Sequence, residues 1–164
     1  MDMNETQATC EKYPLDSKKI IKKTLSFVLG VIFLLIIAVP LVGMAIGYLT
    51  ALSVGSIICL LICAMWYQYQ RTYFKMYFYD ITSEYARIKK GVYAPTEITI
   101  PYNRIQDVNV DQDFFDKLFG LYDVHLSNAS SSSAQNAHID GVTSDNAEAI
   151  RAKLLAHMHE KKNT

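Results

Sequence analysis

The sequence predicts an N-terminal hairpin of two transmembrane helices, followed by a mainly β domain of antiparallel sheets that a C-terminal α-helix covers. Three observations support this fold class. Residues 25–67 contain no Asp, Glu, Lys, Arg or His. Apolar and polar residues then alternate in several short runs, as they do in half-buried strands. The last part of the chain, residues 144–162, places its apolar residues at helical spacing in one stripe, formed by Ala147, Ile150, Leu154, Leu155 and Met158.

The uncharged stretch is too long for one membrane span and long enough for two. A span takes ~20 residues as a helix, and a single helix over residues 25–67 would measure about 65 Å at ~1.5 Å per residue. A cleavable signal peptide has an apolar region of only ~7–15 residues, which excludes that interpretation. We expect a hairpin over residues 25–70, with spans near 25–46 and 52–70 and a turn within Gly47–Gly55.

The charges beside the two spans predict their orientation. The connection between the spans is uncharged, whereas Arg71 and Lys75 follow the second span. Five lysines precede the first span within the basic segment 1–24, namely Lys12, Lys18, Lys19, Lys22 and Lys23. An excess of Lys and Arg marks the cytoplasmic side, so we expect both termini and the domain over residues 72–160 to be cytoplasmic. The spans lack the ionisable groups that pumps, proton carriers and voltage sensors require.

Six segments of the domain have the pattern of strands. The first three are residues 77–82, 84–91 and 92–100, and Gly91 interrupts the alternation where a β-hairpin would turn. The fourth begins at Ile105, and the offset of the apolar residues after it predicts a β-bulge. The last two are the segments LYDVHLSN, residues 121–128, and AHIDGV, residues 137–142.

Four aspartates within ten residues are predicted to be structural. They are Asp107, Asp111, Asp113 and Asp116. The segment DFFDKLF has the spacing of a short helix, for which Asp111 or Asp113 suits the N-cap and Gly120 suits the end. Asp116 lies in the first turn, where the helix dipole favours a carboxylate. The spacing of a calcium-binding loop is absent. A paired-carboxylate catalytic site is not expected, although the sequence alone leaves it open.

No arrangement of residues predicts catalysis, a metal or a cofactor. His125 and His138 belong to different predicted strands, and His157 and His159 lie two apart on the predicted helix, so they are not expected to converge as zinc ligands. Nucleophile-elbow, phosphate-loop, Cys-x-x-Cys and kinase motifs are absent from the sequence. Nothing indicates a nucleic acid or a small-molecule substrate, and we expect a protein without enzyme activity.

One basic group is a candidate contact for a lipid headgroup or a protein partner. Arg87, Lys89 and Lys90 lie together on the second predicted strand, with Asp80 and Glu84 nearby. The alternative is that these three cations are the solvated face of a strand. The sequence alone does not separate the two interpretations.

The order of short motifs in the domain provides a further indication. The motifs are a glycine after the basic strand, the segment IPYNRIQDV, and a helix that ends in LFGL. Their residues are Gly91, Ile100, Pro101, Tyr102, Arg104, Ile105, Gln106, Asp107, Val108, Gln112, Leu118, Phe119, Gly120, Leu121 and Asn128–Ala129. With the preceding hairpin and its lysine-bearing N-terminus, this order resembles the bacterial pleckstrin-homology-like (PH) domain of the membrane-flanked, YdbS-like family. The resemblance covers residues 15–160.

The resemblance implies a PH-like fold, in which two bent antiparallel sheets are closed at one end by the C-terminal helix. It implies a multi-pass protein of the bacterial cytoplasmic membrane that acts as an adaptor or oligomerising scaffold, with a suggested role in envelope stress. Its partner would be another protein or a second copy of the chain. The motif residues are expected to be structural, since the family provides no agreed binding residues. Recognition of anionic lipid at the membrane surface is the alternative hypothesis, and a pore formed by the hairpin is a third.

Overall fold

The structure is a computed structural model that describes residues 9–128 and 137–162. Contacts divide the chain into two units. Residues 20–74 form one unit, and the described residues 9–19 and 75–162 form the other. The serine-rich residues 129–136, which include Ala129 of the motifs, lie outside the described residues.

The described residues form helices, six strands and one 3₁₀ turn. In chain order these are α1 (Thr9–Lys12), α2 (Lys18–Ile46), α3 (Tyr48–Met76), β1 (Phe78–Ile81), β2 (Tyr85–Lys90), β3 (Thr96–Pro101), the 3₁₀ turn (Tyr102–Arg104), β4 (Ile105–Asp111), α4 (Phe114–Phe119), β5 (Tyr122–Asn128), β6 (His138–Val142) and α5 (Ser144–Lys162). Two long apolar helices followed by antiparallel sheets and a C-terminal helix agree with the predicted order of elements.

The turn between α2 and α3 is the single residue Gly47, so it is shorter than the predicted turn within Gly47–Gly55. Gly47 has a φ of 88°, a left-handed conformation that favours glycine. The hydroxyl of Thr50 donates to the carbonyl oxygens of Ile46 and Gly47, which lets this polar residue stay inside a helix. The second helix therefore begins at Tyr48 rather than at residue 52.

Both long helices have the length and composition needed to cross a membrane. Many of their large apolar side chains are exposed, including Leu49 at 85% and Met44 at 78%. Aromatic side chains contact both helices. Phe27 of α2 stacks on Trp66 of α3 with 4.3 Å between the ring centroids, and the ring of Tyr48 at the start of α3 packs beside Gly43 of α2. Apolar surface of this extent is typical of a helix that lies in lipid or in a protein interface.

The first sheet contains β1, β2 and β3 as antiparallel neighbours. The predicted alternation is present in β2, where Ala86 and Ile88 are buried in the core and Arg87 between them is not. Gly91 ends β2 with a φ of 112°, and a Cβ there would lie 2.6 Å from the carbonyl oxygen of Ala94. Residues 92–95 complete this turn, so β3 begins at Thr96 rather than at residue 92.

The second sheet contains β4, β5 and β6, also as antiparallel neighbours. The bulge predicted after Ile105 is confirmed, because the register with β5 shifts between Ile105 and Asp107. A carboxylate oxygen of Asp107 accepts a hydrogen bond from the backbone N–H of Val108 at 2.8 Å. Asp107 therefore stabilises the backbone of the bulge.

Helix α4 confirms the predicted capping by aspartates. The Asp113 side chain accepts from the backbone N–H of Asp116 at 2.7 Å, and the Asp116 side chain accepts from the N–H of Asp113 at 3.2 Å. This reciprocal pair is a capping box. Gly120 ends the helix with a φ of 68°. Asp113 rather than Asp111 is the N-cap, so helix capping does not account for Asp111.

Helix α5 covers the second sheet and supplies much of the core. It packs against β4, β5 and the 3₁₀ turn. Three residues of the predicted apolar stripe, Ala147, Ile150 and Leu154, are fully buried. The other two, Leu155 and Met158, are only partly buried. The C-terminal half of the helix thus presents apolar side chains beside the sheet.

Residues 9–19 pack on the β domain. The hydroxyl of Thr9 donates to a carboxylate oxygen of Asp80 at 2.9 Å and accepts from the backbone N–H of Ile81 at 3.0 Å. The backbone N–H of Asp16 donates to the carbonyl oxygen of Gly141 at 2.9 Å. The N-terminal segment is therefore held by strands that lie far away in the sequence.

Candidate functional site: an aspartate and histidine face

Five ionisable side chains share one face of the second sheet, which we name the Asp/His face. They are Asp111, Asp123, His125, His138 and Asp140. Strand β5 contains Asp-Val-His and β6 contains His-Ile-Asp, and the central Val124 and Ile139 are buried in the core. Because the two strands are antiparallel, Asp123 pairs with Asp140 and His125 pairs with His138. Strand β4 adds Asp111 opposite Asp123.

Lys19 holds the carboxylate of Asp140 in a buried position. The Lys19 Nζ lies 3.3 Å from Oδ2 of Asp140 and donates to the backbone oxygen of the same residue at 2.8 Å. The two side chains are only 4% and 8% exposed. The same Nζ lies 4.3 Å from the ring centroid of Tyr77, a cation–π arrangement. Gly141 makes room for the lysine, since a Cβ there would lie 2.7 Å from Cδ of Lys19.

The environment of this pair raises the pKa of the Asp123 carboxyl group. Burial, the charge of Asp140 and a hydrogen bond between the two carboxyl groups raise the pKa of Asp123 from 3.8 to about 7. The backbone N–H of Gly141 donates to Oδ1 of Asp123 at 2.7 Å and opposes part of this shift. Near neutral pH, Asp123 and Asp140 therefore share one proton for part of the time.

The two histidines stack on one another. Their ring centroids lie 5.3 Å apart, with 22° between the ring planes. Burial, together with the positive charge of Lys90, lowers the pKa of His138 from 6.5 to about 4, so this ring is neutral near pH 7. The Nε2 of His125 lies 3.3 Å from Oδ1 of Asp111. His125 and His138 lie on different strands, as predicted, and their rings meet because the two strands are neighbours and in register.

Three side chains of the Asp/His face converge closely enough to hold a metal ion. Asp111, Asp123 and His125 each offer one ligand atom, and these atoms lie within 4.8 Å of one another. Carboxylate and imidazole are both common metal ligands. The face offers no serine, cysteine or lysine positioned as a nucleophile among the described residues.

A groove of about 700 Å³ lies between the start of β4 and the C-terminal half of α5. Its apolar side chains include Ile105, Leu155 and Met158. Gln106 and Lys161 belong to its polar part. Such a mixture suits a bound segment that buries an apolar side chain and leaves polar groups at the rim.

The three predicted cations do not lie on one surface. Alternation along β2 places Arg87 and Lys89 on the face that Ala86 and Ile88 do not occupy, and Lys90 on the other. Arg87 lies 3.3 Å from a carboxylate oxygen of Glu97, and Lys89 pairs across the strands with the same Glu97. The positive charge of Lys90 instead lowers the pKa of His138.

Most of the motif residues have structural roles. Gly91 and Gly120 adopt positive φ, Pro101 precedes the 3₁₀ turn, Asp107 bonds at the bulge, and Ile105, Val108 and Leu121 are buried. The hydroxyl of buried Tyr102 donates to the carbonyl oxygens of Thr82 and Tyr85. Arg104 and Gln106 are both exposed, and neither is a glycine at positive φ or part of the buried core.

Sequence reasoning missed the Asp/His face, although a signal for it is present. In a strand, residues two apart share a face. The segments DVH and HID, written on two antiparallel neighbours, place like residues opposite one another. The missing information was that β5 and β6 are neighbours in this register. The role of Lys19 has no such signal, since it depends on the packing of a distant segment.

Comparison with known families decides the classification. The family model described as bacterial PH domain matches residues 24–158. The chain belongs to the bacterial PH domain family. The match includes most of both long helices and the β domain, and it begins after Lys19. No curated protein and no solved structure matches the chain. PH domains are generally binding modules rather than catalysts.

Proposed function

We propose that this bacterial PH domain protein is a membrane-anchored adaptor without enzyme activity. The helical hairpin crosses the cytoplasmic membrane twice, both termini lie in the cytoplasm, and the PH domain recruits a protein partner at the inner face. The groove beside α5 is the observation that carries the recruiting role. A role in envelope stress is supported by the family resemblance alone.

The two helices support the anchoring part of the proposal. Each contains 29 residues, and a span takes ~20. Their exposed side chains are predominantly large and apolar, as a lipid environment requires. Lysines before the first span and Arg71 with Lys75 near the end of the second favour cytoplasmic termini. Anchoring raises the effective concentration of the domain near other membrane proteins without any added contact.

The groove supports a protein partner as the ligand. Its apolar side chains and polar rim match the composition of a recognition site for an exposed peptide segment. Gln106, which the fold leaves exposed, lies in it. The alternative, an anionic-lipid headgroup at Arg87, Lys89 and Lys90, has weaker support. Glu97 is close to the first two, and Lys90 lies on the opposite face.

A photo-crosslinking residue tests the groove directly. We expect p-benzoylphenylalanine at Gln106, in the full chain in its native membrane, to give a discrete crosslinked product that contains a second polypeptide. The matched control places the same residue at Tyr93, which is 90% exposed in the turn after β2. A Met158→Lys change in the groove is expected to lower the product about tenfold, since a buried charge opposes apolar contact.

Three results would contradict the proposal. They are an absence of any protein product from Gln106, the same product from Tyr93, or a yield that Met158→Lys leaves unchanged in a protein with normal resistance to protease. A product made only of two copies of this chain would support the scaffold form of the adaptor.

A further inference from the structure

We propose that Asp111, Asp123 and His125 form a binding site for one divalent transition-metal ion of the Zn²⁺ class. This site lies on the second sheet, and its argument does not depend on the peptide groove. The proposal rests on the convergence of the three ligands, on the support of one of them by neighbouring groups, and on a buried nitrogen of His138 beside them that has no hydrogen-bond partner among the described residues.

The geometry of the three side chains suits a small cation. All three ligand atoms lie within 4.8 Å of one another, and Nε2 of His125 is 3.3 Å from Oδ1 of Asp111. Ligands in a tetrahedral zinc site bind at about 2.0–2.2 Å, which places neighbouring ligand atoms about 3.3 Å apart. Small side-chain rotations would bring the carboxylate oxygen of Asp123 to this spacing from the other two ligand atoms. Three protein ligands leave one position for water or for a group from a partner.

Rigid strands and neighbouring groups hold the central ligand. Asp123 lies on the middle strand of the sheet, and its Oδ1 accepts the N–H of Gly141 at 2.7 Å. Its other neighbour is Asp140, which Lys19 fixes in turn. Metal-ligating carboxylates are usually oriented by such hydrogen bonds from outside the site. The Lys19–Asp140 pair would therefore act as a positioning pair for the site.

His138 provides an independent observation. Its Nδ1 is buried and has no hydrogen-bond partner among the described residues, although most buried polar atoms have one. Its ring stacks on that of His125 at 5.3 Å. A buried imidazole nitrogen without a hydrogen bond is a polar group with no partner in the fold, directly beside a ring proposed as a ligand. This arrangement distinguishes the site from an acidic surface patch.

The order of charges across the sheet is consistent with a bound cation. Asp111, Asp123 and Asp140 pair directly across three strands, and like charges placed opposite one another destabilise a sheet. Lys19 lies against the third aspartate. A divalent ion between the first two would relieve their repulsion. The mixed nitrogen and oxygen ligands favour Zn²⁺, Co²⁺ or Ni²⁺ over Ca²⁺ and Mg²⁺, which prefer oxygen alone.

Metal titration of the full chain in detergent, purified without a histidine tag and stripped with chelator, tests the proposal. We expect one Zn²⁺ per chain by calorimetry, and Co²⁺ to give the visible absorption of a low-coordinate site. Asp111→Asn and His125→Ala should each weaken Zn²⁺ binding at least tenfold. Asp111 is suited to this test because its side chain is 64% exposed, so the change leaves the fold intact. His159→Ala, a change at an exposed histidine on α5, is the matched control.

Two outcomes would overturn the site. One is the absence of stoichiometric binding up to millimolar Zn²⁺, and the other is binding that Asp111→Asn leaves unchanged, which would mean an adventitious ion only. A loss of binding in His159→Ala equal to that in His125→Ala would also count against it. Because the readout is metal binding by the isolated chain, these outcomes are separate from the crosslinking test of the adaptor role.

Discussion

Replacing Lys19 with methionine is expected to lower the free energy of unfolding of the β domain by about 3–5 kcal/mol. The change removes the Nζ that lies 3.3 Å from the Asp140 carboxylate and 2.8 Å from its backbone oxygen. Asp140 would then be a buried charge without its cation, beside the carboxyl group of Asp123. Methionine keeps most of the length of the side chain, so the loss of stability reflects the missing positive charge rather than a change in packing. Pulse proteolysis of the full chain in detergent across a urea series measures it.

Two further variants separate this interpretation from a general effect of the N-terminal segment. Lys18→Met is the matched control, because Lys18 is 56% exposed and its carboxylate neighbour Asp16 is 3.8 Å away. That change should cost no more than about 0.5 kcal/mol. Adding Asp140→Asn to Lys19→Met should recover part of the loss, since it removes the buried charge that faced Lys19. Equal losses from Lys18→Met and Lys19→Met would contradict the role of the buried pair.

Asp123→Asn is expected to stabilise the domain increasingly as the pH rises from about 4 to about 7. Folding raises the pKa of Asp123 from 3.8 to about 7, so in this interval the folded state binds a proton that the unfolded state has released. The stability of the natural protein then falls with rising pH through this group. Asparagine has no such titration, and its amide can replace the shared proton. The difference should reach about 2–4 kcal/mol at pH 8, after allowing for partial exposure.

A measurement on the natural protein alone would not reveal this pH dependence of stability clearly. Folding lowers the pKa of His138 from 6.5 to about 4, so its contribution falls with decreasing pH and opposes that of Asp123 over the same interval. The measurement is therefore the difference between Asp123→Asn and the natural chain, in chelator, from pH 4 to pH 8. Asp145→Asn, at an exposed aspartate, should give a difference within about 0.5 kcal/mol at every pH. A difference for Asp123→Asn that is constant with pH would contradict the shared proton.

Elements governed by local rules were predictable from the sequence. The capping box of α4 needs only Asp113 and Asp116 at the right spacing, and the end of that helix needs Gly120. The bulge after Ile105 follows from an offset in the apolar pattern. In each case the residues that decide the structure lie within a few positions of one another.

Features that depend on distant pairing were not predictable in the same way. Lys19 and Asp140 are 121 residues apart, and no periodicity links them. The Asp/His face needed the register of β5 with β6, which a pattern of alternation does not specify. Arg87, Lys89 and Lys90 were grouped by sequence proximity, although strand alternation already places Lys90 on the other face.

Protease accessibility of the domain in intact membranes tests the membrane-anchored adaptor most directly. Spheroplasts that express the full chain are treated with protease before and after permeabilisation, and membranes are washed with alkaline carbonate. The proposal predicts that the chain stays with the washed membrane and that the region beyond Arg71 is digested only after permeabilisation. Digestion of that region in sealed spheroplasts, or release of the chain by carbonate, would contradict it.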